Sequence, residues 1–340
     1  MSMRLPKIDK FVLALAAAVI LAILFPEPGR TGGLLHWDYV TTYGVCAVFF
    51  LYGLTLAPER MKHGLTRWKA HIVVVLTTFG LFPAVVLLAV TLFPGALPEA
   101  AEIGFFYVAA LPSTVSSSVA MVSLARGNVP VAIFNATLSS LLGVVLTPAL
   151  MAWYLQSSGA PVPLLPTIFK VVLLVLLPII VGQVARHWLG GWAERHKAVI
   201  KLADRGIILA VVYGAFSNSV ADGVWLRHDP LVVAEIAVAA IVLFFVIYAA
   251  TVLVSKLLAM SEEDVIAVAF CGSKKSLAAG VPLAPVIFAG RSDVGLIILP
   301  IMLFHFFQLL IVSFIAARAG RRPEAEEDTL SSRSEPAKVA

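Results

Sequence analysis

Two adjacent lysines, Lys274 and Lys275, lie in the run Phe270-Cys271-Gly272-Ser273-Lys274-Lys275-Ser276-Leu277, otherwise built of apolar, small and hydroxyl residues. Asp264 ends the polar stretch before them, ten residues ahead of Lys274. At about 1.5 Å per helical residue that separation covers roughly half of a ~30 Å hydrocarbon core, too deep for a lysine to snorkel out. An ionisable residue at such a depth is costly and by default marks a functional site. Of the 20 acids, only Glu235 falls clearly inside an apolar run, and it sits near the end of that run. The two lysines must therefore be partly neutral, wet, or matched by something brought in. Ser273 and Ser276 flank them. Hydroxyls that can answer them recur in Leu111-Pro112-Ser113-Thr114-Val115-Ser116-Ser117-Ser118 and in a stripe of Asn135, Thr137, Ser139 and Ser140. Asn135 and Ser139, four apart, share a helix face.

The elements that must carry these residues are membrane helices. The 340 residues are 60% hydrophobic and 13% charged, with a mean hydropathy of +0.96, whereas soluble domains carry roughly 25% charged residues. Ten apolar runs fit, at 11–25, 39–56, 70–93, 103–124, 130–155, 167–184, 207–220, 231–258, 265–288 and 294–317. The run at 207–220 is the shortest of the later ones. The first lacks a small-residue cleavage site and reads as an uncleaved helix. Cys46 and Cys271 both fall inside apolar runs and say nothing of redox compartment. The expected fold class is an all-α integral membrane protein.

The net charge of +5 is a topology signal once the charges are placed. Arg4, Lys7 and Lys10 head the chain. Arg60, Lys62, Arg67 and Lys69 fill the second loop, Arg126 the fourth, Arg186, Arg195, Lys197, Lys201 and Arg205 the sixth, and Lys256 the eighth. The opposite loops hold Arg30, Arg227 and Arg291. Cytoplasmic loops concentrate Lys and Arg, so both termini are expected in the cytoplasm of a plasma, for a bacterium inner, membrane. Nucleic acid drops out as a partner. Residues 321–340, rich in Glu, Ser and Pro, read as a disordered tail.

An internal repeat emerges from the interruptions. Splitting ten spans into 1–155 and 167–320, joined by the Pro/Gly/Ser-rich loop 156–166, makes the fourth and ninth equivalent. Both are broken by polar residues, and each precedes a short turn, Arg126-Gly127-Asn128 or Arg291-Ser292-Asp293. Five spans per repeat also makes the halves antiparallel, the plan of many transporters whose broken helices meet at the substrate.

Gly53-Leu54-Thr55-Leu56, the run from Pro112 to Ser118 leading to Leu124-Ala125-Arg126-Gly127-Asn128, and Leu146-Thr147-Pro148 together resemble the bile acid:sodium symporter superfamily, in its divergent SBF-like branch, which includes animal solute carrier family 10 member 7. The resemblance spans about 7–318. It implies ten transmembrane helices in two inverted five-helix repeats. It also implies a core domain of spans three to five and eight to ten, moving against a panel of spans one, two, six and seven, with sodium sites at the crossed fourth and ninth helices. Two departures stand out. The family's sodium-binding Glu falls on Phe270 and its Gln on Lys274, while Ser116-Ser117-Ser118 replaces Ala-Ser-Asn.

The expected function is therefore alternating-access transport of a small organic anion, with Thr114, Ser116, Ser117, Ser118, Asn135, Ser139, Ser140, Ser273, Lys274, Lys275 and Ser276 lining the solute and ion site. No cofactor or metal ligand set is assigned. Sodium is one coupling ion and the proton its alternative. Three readings of the lysines stay open. One ammonium can stand in for sodium by donating to Ser117, Ser118, Asn135, Ser139 and Ser140, the pair can attract the anion, or both can lie in a wet vestibule. His305 and Gln308, three apart, read as helix-packing polars, and Trp37, Trp68, Trp153, Trp188 and Trp192 as interfacial belt residues. No HExxH, paired loop aspartates or Cys/His cluster suggests an enzyme. The alternative from another class is a membrane regulator of ion homeostasis that carries no solute.

Overall fold

The computed structural model describes residues 10–33, 35–55, 66–157, 169, 170, 172–227, 229 and 231–321. Arg4, Lys7, Arg60, Lys62, most of the connecting loop 156–166 and the tail from 322 onward lie outside the described residues. Among the described residues there is no strand, and helices carry nearly everything: α1 (Lys10–Leu24), α2 (Trp37–Thr55), α3 (Trp68–Leu92), α4 (Glu99–Ala110), α5 (Ser116–Leu124), α6 (Val129–Ser157), α7 (Val172–Arg195), α8 (Lys197–Ala221), α9 (Leu231–Leu257), α10 (Glu262–Gly272), α11 (Leu277–Ile287) and α12 (Val294–Ala319).

Among the described residues six stretches are long and apolar enough to cross a membrane: α3, α6, α7, α9, α12, and Glu262–Ile287, which α10 and α11 make together. The chain is a multi-pass membrane protein. A bilayer leaves no water to satisfy backbone groups, which restricts spanning segments to helices or closed barrels. Several of these helices carry apolar residues on their outward as well as their inward faces. Thus α9 buries Ile236, Ala240, Phe244 and Ile247 in the protein while Val238, Val242, Phe245 and Leu253 stay exposed at its outside.

The helices pack in two sets. In one, α2 lies along α7 and α1 along α8, with α2 also touching α8. Gly53 and Gly182 let α2 and α7 meet backbone to backbone, since a Cβ on Gly53 would strike the Ile179 carbonyl and one on Gly182 the Phe50 carbonyl. In the other set, α4 lies along α12, α9 against α10 and α12, and α6 against α4, α5 and α10. The sets meet where α8 packs on α11 and α12, and α2 on α11.

The expected loop between the sixth and seventh spans is instead helical. α7 runs to Arg195 and α8 starts at Lys197, with His196 as the junction. Charged residues lower hydropathy there without breaking the helix, and Leu54, Ala193 and Ile200 form a small core that holds the corner. The short run 207–220 is accordingly the apolar part of a 25-residue helix.

Each broken helix ends in a turn that reaches the start of the other. After α5, Asn128 takes the Glu263 carbonyl with its N–H, and its Nδ2 donates to Asp264 Oδ1 at 2.7 Å. Arg67 stands 3.5 Å from the same carboxylate. After α11, Arg291 grips Asp293 with two hydrogen bonds and stands 3.9 Å from Glu99, in the first turn of α4.

Candidate functional site

Both interruptions are built by local backbone chemistry. α4 stops at Ala110 because Pro112 has no N–H to offer and restricts Leu111 to extended backbone. Leu111 is indeed extended at φ −72°, ψ 153°. The N–H of Ser113, which would continue the ladder to Ala109, donates instead to Ser139 Oγ at 2.9 Å. The last carbonyls of α4 are thereby freed, and Thr147 Oγ1 takes the one on Ala110. α10 stops at Gly272, and Ser276 caps α11 by accepting from the Ala279 N–H. The two gaps touch directly, with the Ser276 N–H donating to the Pro112 carbonyl at 2.9 Å.

α3 carries a third irregularity, a π-turn over Thr77–Leu81. In it the Phe82 N–H reaches back five residues to the Thr77 carbonyl. The next residue, Pro83, has no N–H, so nothing in that register serves the Thr78 carbonyl.

Lys275 fills the space that these vacated carbonyls enclose. Its Nζ donates to the Thr78, Ala109 and Leu111 carbonyls, each at 2.7 Å. Three N–H donors meet three acceptors, with the Phe82 ring 4.1 Å below the charge. The C-terminal end of α4 adds the negative end of a helix dipole. Lys275 is fully buried, and its peptide is gripped as well. Gln308 Oε1 accepts the Lys275 N–H and Gln308 Nε2 donates to the Lys275 carbonyl, both at 2.8 Å. Gln308 Nε2 also donates to His305 Nδ1. The side-chain hydroxyl of Thr78, beside this cage, is buried with no partner among the described residues.

Lys274, also fully buried, is held differently. Among the described residues its Nζ has one hydrogen-bond acceptor, Ser117 Oγ at 2.8 Å. Ser117 Oγ donates to Thr114 Oγ1 at 2.9 Å, Thr114 Oγ1 and Ser118 Oγ share a bond of 2.8 Å, and Ser118 Oγ donates to the Phe270 carbonyl at 3.3 Å. The three hydroxyls lie at the start of α5, Thr114 just ahead of it and Ser117 and Ser118 in its first turn, and the helix has no side-chain cap. Ser117 is half-buried, and Val115 and Ser116 are exposed.

The residues expected from sequence thus divide. Ser117 is the one expected acceptor that takes an ammonium bond. Ser118 turns to the Phe270 carbonyl, Ser139 to the Ser113 N–H, and Ser273 to the Ala269 carbonyl. Asn135 bonds His71 Nδ1 and the Val131 carbonyl, and Ser140 shares a hydrogen bond with Tyr52. Ser113, absent from the expected set, donates to the Cys271 carbonyl at 2.6 Å and closes the end of α10. Gln308 and Pro83 were the other omissions. Pro83 inside an apolar run was the available signal for a freed carbonyl.

The chain is similar along most of its length to proteins already known. The chain is 44% identical over 315 residues to "Uncharacterized protein PA2026" of Pseudomonas aeruginosa, covering 92% of this chain and 93% of that one. It is 36% identical to "Putative symporter YfeH" of Escherichia coli, over 93% and 94% of the two chains. It is 31% identical to "Sodium/bile acid cotransporter 7-B" of Xenopus laevis, over 90% of each. The model of one family matches residues 9–321. The chain belongs to the SBF-like CPA transporter family, and is a transporter rather than an enzyme.

Proposed function

We propose that this protein carries a small organic anion across the membrane by alternating access, with the Lys275 ammonium in the position that sodium takes in sodium-coupled relatives. The observation that carries the reading is the cage of three backbone carbonyls, each 2.7 Å from Lys275 Nζ. Helix breaks that aim carbonyls at one point are what membrane transporters use to coordinate a cation. A cage already filled by a tethered ammonium has no room for a second one.

The remaining parts follow from the same reading. α4 with α5, and α10 with α11, each make one span, which gives ten spans with both termini in the cytoplasm of the inner membrane. Two inverted repeats, 1–155 and 167–320, relate them. In support, Ser113 and Lys275 play matching parts. Each gives its N–H to a polar side chain of the following span, Ser139 or Gln308, and its side chain to the C-terminal carbonyls of the opposite half-helix. α1, α2, α7 and α8 form the panel and the other helices the core that moves against it. Lys274, Ser117 and the uncapped start of α5, with Ser116 exposed beside them, provide the anion's contact.

Two measurements test this. Proteoliposomes offered a panel of labelled small carboxylates, sulfonates and phosphates should show saturable uptake of at least one. Purified wild-type protein should melt at the same temperature in sodium, potassium and choline chloride. A melting temperature raised by sodium alone refutes the replacement of sodium by lysine.

A further inference from the structure

The geometry points to a division of labour between the two lysines: Lys275 is a fixed plug, and Lys274 is a proton-binding site that loads and unloads during the transport cycle. The inference rests on the transport reading above and adds the identity of the coupling ion, one proton for each anionic group that Lys274 receives.

The argument turns on what kind of oxygen faces each nitrogen. A carbonyl only accepts. Around Lys275 three carbonyls demand three donors, and an ammonium has three N–H bonds. Removing one proton would leave a buried carbonyl without a donor, at about 1–3 kcal/mol. A hydroxyl both donates and accepts. Around Lys274 the chain Ser117, Thr114, Ser118 runs from the nitrogen to the Phe270 carbonyl with each hydroxyl donating onward. Rotating the three hydroxyls reverses it, so that Ser117 donates to a neutral amine nitrogen, Thr114 to Ser117 and Ser118 to Thr114. The reversal gives up one contact, the longest of the series at 3.3 Å to Phe270. The same scaffold therefore serves ammonium and amine.

The charged surroundings agree. On the broken helix itself the ionisable neighbours of Lys274 are Lys275 and the Cys271 thiol. α5, α6, α11 and α12 contain no acid, and α3 none either. α4 carries Glu99 and Glu102 in its first turn, α10 has Glu262, Glu263 and Asp264 in its own, and α9 has Glu235 near its start. Tyr107 of α4 is committed to the Gly280 carbonyl, His305 of α12 accepts from Gln308, and His71 of α3 bonds Asn135. Among the described residues no carboxylate pairs with Lys274, so an arriving anion supplies the counter-charge. Binding of the anion and of the proton favour one another, and the loaded site is neutral overall for a monoanion. The exposed Ser116 and half-buried Ser117 give the proton its way in.

Solute-free proteoliposomes adsorbed on a solid-supported membrane and stepped in pH test the assignment, because a proton entering a buried site displaces charge without any transport. Wild type should give a transient whose amplitude scales with protein density. Lys274→Met has no site, and Lys274→Arg keeps a charge and a donor but cannot release a proton. Both should fall to the level of protein-free liposomes. Ser117→Ala should retain the transient with a displaced midpoint. A silent wild type, or a transient that survives in both Lys274 variants, overturns the assignment. A transient in wild type with no saturable uptake of any solute leaves the proton site standing and removes the transport reading instead.

Discussion

Lys275→Ala is the most direct perturbation of the cage. It strips the donor from three carbonyls that lie in a fully buried environment. At about 1–3 kcal/mol for each orphaned acceptor, and about 0.5–2 kcal/mol for the lost contact with the Phe82 face, the gross loss is large. Against it stands the relief of a buried charge, itself several kcal/mol. The net expectation, the remainder of these opposing contributions, is a destabilisation on the order of 3 kcal/mol. The assay is thermal unfolding of the purified protein in detergent or nanodiscs, in choline chloride and then in methylammonium chloride. Methylammonium supplies the ammonium together with the last carbon of the missing side chain, and binding at a hundredfold excess over Kd returns about 2.7 kcal/mol. Wild type, with its cage filled, should respond to neither salt. The reasoning fails if Lys275→Ala melts with wild type, or if methylammonium and choline act alike on the variant.

Other expectations follow from single contacts. Gln308→Leu removes both bonds to the Lys275 peptide and should lower stability by about 2–3 kcal/mol, read as a fall in melting temperature larger than that of His305→Leu. Asp264 is buried and bonded to Asn128 while its partner Arg67 is largely exposed. Asp264→Ala should therefore cost about 2–4 kcal/mol, and Arg67→Ala under about 1 kcal/mol; equal losses in a melting comparison would contradict the burial argument. Asp204 lies ahead of the apolar part of α8, where burial pushes its carboxyl up to about 6. A folded-state value raised above the unfolded one means that the native state binds the proton more tightly, so this contribution to stability is present near pH 4 and lost as pH rises through 6. Asp204→Asn should stabilise by on the order of 1 kcal/mol at pH 8, after allowance for partial exposure, and by nothing near pH 4. Melting temperatures across that range decide it.

Two features of this region were legible by counting along the chain. The ten residues from Asp264 predicted that the lysines lie deep, and both are buried in the protein, while Pro112 with the serines marked the break between α4 and α5. What escaped was the identity of the lysines' partners. Side chains such as Asn135 and Ser140 advertise hydrogen bonding by their type, yet here they serve His71 and Tyr52 on neighbouring helices. The acceptors that matter for Lys275 belong to the backbone of a threonine, an alanine and a leucine, which no residue type announces. Their availability depends on a π-turn and on one displaced N–H, both consequences of tertiary packing. The helical corner from α7 to α8 was missed for a plainer reason. Hydropathy detects the lipid-facing part of a helix and stops where charge begins, whereas backbone hydrogen bonding runs on through Arg195 and resumes at Lys197.

The caged ammonium of Lys275 also bears on voltage. Among the described residues no carboxylate pairs with it, so it is a single uncompensated charge fixed to the body that the transport reading sets in motion. One elementary charge crossing the whole of a 100 mV field exchanges about 2.3 kcal/mol, so a core that carries Lys275 through a quarter of the field exchanges about 0.6 kcal/mol. An inside-negative potential then favours the state with this charge nearer the cytoplasm, before any solute or proton is bound. The resting distribution between the two access states becomes a reading of the membrane potential, and depolarising the vesicles should redistribute it even when nothing is being carried.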